Sequence, residues 1–267
     1  MEKVKYPDVS LVVQGPLTDK MDFFENLGYY KSLFSQIILS TYSEHLAINK
    51  DFVYFCVMNN ITIVHQTIDI GDVRNDGRAY YQVYTTLEGL KYSSKKYTIK
   101  HRIDERYSNL EKIVDKFLLD DSKMVCGSMV FGPKYYRHYH AGDHMFIAKT
   151  DKLLQTFQLT FDNLNKGIME NNNSGAFPDT NLNSGSPEIT MTKNFIRING
   201  EEPTEERHDE LMLKYFDIVN NKELHPFIIR ENGINKVYNS IEDLTPNRNQ
   251  YETMNDILTK EHLPGYH

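Results

Sequence analysis

Charged residues gather where one apolar run ends. In KYTIKHRIDERYSNL, residues 96–110, an alternating run leads into Arg102, Asp104, Glu105 and Arg106. Ligands of open α/β sheets bind beyond the carboxyl ends of the strands, so an exposed acid between arginines at such a tip suits a phosphate and a divalent cation. The same charges would also serve as a salt-bridge cluster that ends a strand and starts a helix. Other polar groups stand at comparable breaks. Gln14, Gly15 and Pro16 close the run VSLVVQ, and Arg74 and Arg78 flank an Asn75-Asp76-Gly77 turn where planar guanidinium groups could reach diphosphate oxygens. His140, Asp143 and His144 precede another apolar run, and Glu188 follows Pro187 at a helix start. Each has a plain reading too: a turn glycine, solvated arginines, a capping aspartate and a helix-dipole glutamate.

The elements that must carry these groups alternate. Residues 8–13 and QIILSTY are short buried runs of the parallel-strand kind, with helical apolar spacing over 19–34 between them. A weaker segment at 44–59, the run ITIVHQ and a polar loop IDIGDVRNDG follow. The spacing then predicts a helix from Arg78 to Leu90, the strand YTIKHRID, the amphipathic helix NLEKIVDKFLL, and strands in KMVCGSMVFG and HMFIAK. Residues 163–186, rich in Asn, Gly and Ser, predict a mobile loop, and further helices are expected at 187–198 and 205–219. PFIIRENG and VYNSIEDL read as a closing strand and turn, and the last residues as loosely held. Alternating strands and helices imply a three-layer α/β architecture with a mostly parallel sheet.

Composition narrows the partners. The 267 residues carry 40% hydrophobic residues with 18 Tyr and 14 Phe, enough for a sizeable core and too aromatic for a disordered chain. A net charge of −7 without dense basic runs disfavours nucleic acid. The two cysteines, Cys56 and Cys126, each lie in an apolar run and read as buried thiols of a reducing compartment. The N-terminal apolar run is too short for a secretory signal or a membrane span, so a cytoplasmic chain without a transmembrane segment is expected.

Taken in order, VVQGP, a helix opening Arg78-x-x-x-Gln82, the strand end Lys100-x-Arg102-x-Asp104-x-Arg106, Gly142-Asp143-His144-Met145-Phe146 and Pro187-Glu188 resemble the WavE lipopolysaccharide-synthesis family. The resemblance runs from about Ser10 to Phe195 in scattered short blocks. It implies a GT-A-type glycosyltransferase with a GT-A-like, Rossmann-type three-layer sandwich and a mostly parallel central sheet. The expected organisation is one domain over 1–267, with a nucleotide-sugar donor half at about 1–110 and an acceptor half at about 111–267. It further implies that Gln14, Gly15, Pro16, Arg74, Arg78, Arg102 and Asp104 bind the donor, and that Asp104 holds a Mn2+ or Mg2+ ion. The usual Asp-x-Asp pattern is incomplete, because Arg102 stands where its first acid would be. His140 and His144 would hold a glycan or glycolipid acceptor, Glu188 would be the general base with Asp143 as its rival, and the setting would be surface polysaccharide, lipopolysaccharide or glycoprotein glycan synthesis. Two other functions fit the same fold class: a sugar-phosphate nucleotidyltransferase, although VVQGPLTDK lacks the expected Gly-rich loop, and a non-catalytic nucleotide-sugar binding module.

Overall fold

The computed structural model describes residues 3–16, 26–42, 50–66, 77–127, 138–170, 186–224, 226–231, 234–237 and 253–259. The first half holds β1 (Tyr6–Gln14), α1 (Leu27–Leu33), β2 (Phe34–Tyr42), α2 (Lys50–Met58), β3 (Ile61–Gln66), α3 (Gly77–Lys91), β4 (Tyr97–Arg102), β5 (Arg106–Tyr107) and α4 (Glu111–Leu119). There follow β6 (Met124–Gly127), β7 (Phe146–Lys149), α5 (Thr150–Asn165), α6 (Pro187–Ile198), α7 (His208–Tyr215), β8 (Phe216–Val219), α8 (Asn221–Leu224), β9 (Pro226–Glu231), β10 (Ile234–Val237) and α9 (Met254–Thr259).

Seven strands form one sheet in the order β3-β2-β1-β4-β7-β6-β8. Within it β7 runs antiparallel to both its neighbours, and the other pairs are parallel. The runs around Ser10 and Tyr97 share this sheet as adjacent parallel strands, Ser10 opposite Thr98. Both faces are covered, which is why the central strands read as near-continuous apolar runs. Apolar residues of α1, α2 and α4 (Tyr30, Phe52, Phe117) pack with Leu11, Val13 and Ile99 on one face, and those of α3, α5 and α6 (Leu87, Phe157, Phe195) with Val12 and Phe146 on the other. The result is a three-layer, Rossmann-type α/β sandwich with a mostly parallel sheet. Cys56 and Cys126 are both free and buried, and they lie in cores on opposite faces.

Three elements differ from the sequence expectation. The helix expected over 205–219 ends at Tyr215, and Phe216–Val219 is a strand parallel to β6, with Phe216 and Ile218 fully buried. Burial of two alternate residues against the sheet outweighs the helical spacing of that run. Phe34 opens β2 instead of closing the preceding helix. The closing strand β9 joins β10 and β5 in a separate three-stranded antiparallel sheet. Of the expected mobile loop, 163–165 belong to α5, whereas 171–185 lie outside the described residues. Among the described residues no helix is long and apolar enough to cross a membrane.

Candidate active site

Strand order decides where the charged tip can work. The chain lays β2 and β3 on one side of β1 and then crosses to place β4 on the other, so strand order reverses between β1 and β4. A crevice opens at such a point beyond the strand ends. Gln14 and Arg102 are register partners there, and the Ile103 N–H donates to the Gln14 carbonyl at 2.9 Å. The Gln14 side chain is buried and accepts from the Thr85 hydroxyl of α3 at 3.1 Å. Gly15 answers a steric demand from the same tip. Its φ is +141°, and a Cβ there would meet Ile103 Cγ2 at 2.7 Å. Pro16 is half-buried beside it. Arg78 sits in the first turn of α3, about two turns before Thr85. Its side chain, and the whole of Arg74, lie outside the described residues.

Asp104 is buried at 6% exposure, contrary to the exposed acid expected at a strand tip. Arg102 folds back onto it, with Nε donating to Oδ1 and Nη2 to Oδ2, both at 2.9 Å, a bidentate pair. The next residue, Glu105, is fully buried. Its Oε2 accepts from Tyr107 Oη at 2.9 Å, its Oε1 is paired with His144 Nδ1, and Arg102 Nε stands 3.6 Å away. Burial alone would push the Glu105 carboxyl up, but His144 and Arg102 hold it below the usual range. Both ends of this loop are pinned, by β4 in the large sheet and by β5 in the small one.

Antiparallel β7 supplies the facing wall. Its register ends with Lys100 opposite Phe146, and His144, two residues before Phe146, reaches the Glu105 carboxylate. Lys100 is buried and donates to the main-chain carbonyl of Asp143, its ammonium 5.6 Å from the Phe146 ring centre. Burial lowers its pKa to about 8. Asp143 is buried too, and Lys100, His144, Arg102 and His140 overcome the desolvation that would raise its pKa, so it is lowered. His101, on the opposite face of β4, packs edge-on against Tyr30 and Tyr107, donates Nδ1–H to the Arg102 carbonyl at 2.6 Å, and is lowered to about 4 by burial.

Helix α6 is tied to the segment that precedes β7. Glu188 lies in its first turn, half-buried, with the Ser186 hydroxyl donating to its carboxylate. Its main-chain carbonyl accepts from the Thr192 hydroxyl at 2.8 Å, and that hydroxyl oxygen accepts the Ala141 N–H at 3.1 Å. This links α6 to the segment holding the buried His140 and Asp143 and the half-buried His144.

The sequence therefore located the tip, but it missed the roles of Lys100, Glu105, Tyr107 and Thr85. Position inside a strand flanked on both sides was the only available signal for Lys100, and Glu105 stood next to Asp104 unassigned. The donor set does not fit a bound metal in this arrangement. Both Asp104 oxygens are taken by Arg102, and no three His, Cys, Asp or Glu side chains converge as ligands among the described residues.

No family model matches the chain, and no curated protein matches it. Several solved structures share part of its path. Glucosyl-3-phosphoglycerate synthase from Mycobacterium tuberculosis, in complex with Mn2+, uridine-diphosphate and glucosyl-3-phosphoglycerate, is 10% identical over 87% of this chain and 72% of that one, with a TM-score of 0.44. S. aureus TarS 1–349 is 10% identical over 78% of this chain and 70% of that one, with a TM-score of 0.45. HddC from Yersinia pseudotuberculosis is 12% identical over 54% of this chain and 78% of that one, with a TM-score of 0.35.

Proposed function

We propose that this chain is a GT-A-type glycosyltransferase, akin to the WavE family its motif order resembles. It would move a hexosyl or pentosyl group from a nucleotide-sugar donor to a glycan or glycolipid hydroxyl in surface polysaccharide, lipopolysaccharide or glycoprotein glycan synthesis. One juxtaposition supports the reading: Gln14 and Gly15 stand beside Arg102, Ile103 and Asp104 where strand order reverses. The donor half is about 1–110, with Pro16 at its rim. The acceptor half is about 111–267, with His140, Asp143, His144 and Glu188 facing the acceptor. The two free, buried cysteines support a reducing, cytoplasmic setting.

Stabilising the departing diphosphate is the main catalytic demand. Around the tip Lys100 and Arg102 are already held against Asp143, Asp104 and Glu105, so a diphosphate needs further positive charge. Arg78, carried by the first turn of α3, and Arg74 just before it are the groups we propose for this. A Mn2+ or Mg2+ ion would supply the same charge, and at Asp104 it would have to displace the Arg102 guanidinium.

The test is a panel of nucleotide sugars with and without Mn2+, followed by thermal shift and by release of nucleoside diphosphate. Release from one donor, raised by a glycan acceptor, is expected. Pyrophosphate release from a nucleoside triphosphate and a sugar 1-phosphate would replace the reading with nucleotidyl transfer. A thermal shift without turnover would leave a binding module, and neither signal would refute nucleotide-sugar chemistry altogether.

A further inference from the structure

One pair in the site is arranged to move a proton. A carboxylate oxygen only accepts, so the contact between His144 Nδ1 and Glu105 Oε1 requires a hydrogen on Nδ1, and in the neutral ring the lone pair is then on Nε2. Glu105 cannot turn away, because its other oxygen accepts from Tyr107 Oη at 2.9 Å and the residue is fully buried. His144, in contrast, keeps 16% of its side chain exposed. Among the described residues its Nε2 has no hydrogen-bond partner, and Asp143 Oδ1 lies 4.0 Å away, beyond hydrogen-bonding reach. A buried carboxylate fixing one imidazole nitrogen while the other stays free to take a proton is how a protein orients a base.

We propose that His144 is the catalytic base for the acceptor, with Glu105 as its positioning residue; the assignment rests on the sugar-transfer reading above. The acceptor hydroxyl gives its proton to Nε2 as its oxygen bonds to the anomeric carbon. The bond from that carbon to the diphosphate oxygen breaks, and its electron pair leaves on the diphosphate. The resulting imidazolium is stabilised by Glu105 and returns its proton to solvent. As a single displacement, this inverts the anomeric centre. Asp143 is less suited, since Lys100 and Arg102 lower its pKa and so weaken it as a proton acceptor, and Glu188 already accepts from Ser186.

The experiment combines rates with the tautomer of His144. Removing a general base typically costs about two to four powers of ten, so His144→Ala should lose transfer by that order and keep nucleotide affinity within about three-fold. Added imidazole should restore at least about ten-fold of the lost rate, which a purely structural histidine would not allow. In wild-type protein carrying 15N-histidine, the neutral form of the His144 ring should carry its proton on Nδ1. Transfer by His144→Ala within about three-fold of wild type overturns the proposal while leaving sugar transfer intact. So does a folded, nucleotide-binding variant that imidazole does not rescue, or a wild-type neutral ring protonated on Nε2. If the alanine variant does not fold, the wild-type tautomer and the anomeric configuration of the product decide, retention counting against it. No transfer by wild type with any donor overturns the sugar-transfer reading, and this assignment with it.

Discussion

Replacing Asp104 separates a clamp from a metal ligand. The side chain is 6% exposed and receives two hydrogen bonds of 2.9 Å from Arg102, which among the described residues also stands 3.6 Å from the Glu105 carboxylate. A hydrogen bond to a charged group contributes about 1.5–3 kcal/mol, and breaking a buried pair costs about 3–5 kcal/mol. Arg102 is 17% exposed and keeps Glu105, and an asparagine oxygen can still accept one of the two bonds, so these figures are upper limits here. Asp104→Asn should therefore cost about 2 kcal/mol of stability, and a chain of this size would melt roughly 4–8 °C lower. A double-mutant cycle with Arg102→Met should return a coupling of about 1–2 kcal/mol, measured by urea denaturation. Coupling under about 0.3 kcal/mol, together with a Mn2+-dependent rise in the wild-type melting point that Asp104→Asn abolishes, would refute the clamp and restore Asp104 as a metal ligand.

Acid sensitivity should map to His101. Its pKa is lowered to about 4 from an ordinary 6.5, so the unfolded chain takes up a proton that the folded one refuses, and stability should fall by about 3 kcal/mol as pH drops from 6.5 to 4. His101→Gln should flatten that limb in urea titrations; an unchanged slope would show that another group carries it. The depressed Glu105 and Asp143 carboxyls contribute stability above their unfolded values that is lost only as pH falls further, through their folded ones. Gly89→Ala would drive a methyl to 2.6 Å from Val12 Cγ1 and 2.9 Å from Ser40 Cβ, lifting α3 off the sheet at a cost of about 1–3 kcal/mol in thermal melts. Gly15→Ala should cost about 2 kcal/mol, and adding Ile103→Ala, which removes the clashing Cγ2, should make its effect smaller; an equal penalty in both backgrounds would leave only the positive φ as the cause.

Local sequence determined the strands that end in Gln14 and Arg102, the helices of Gly77–Lys91 and Glu111–Leu119, and the charged tip between Arg102 and Arg106, because each is written in contiguous periodicity and breakers. It could also place both cysteines inside, since each is embedded in an apolar run. Tertiary structure decided the rest. Lys100 reads as a solvent-facing residue of an alternating strand, and only β1 and β7 on either side of β4, with both faces covered, bury it. Phe216–Val219 carries helical spacing and becomes a strand because an edge of the sheet was available beside β6. The pairing of Glu105 with His144 spans 39 positions and exists because β7 runs antiparallel to β4, a direction that no local pattern encodes. Nor could Asp104, legible as an acid at a strand tip, be seen as already paired: the backbone turn that sets Arg102 against it is held by Gln14 at one end and by Glu105 at the other.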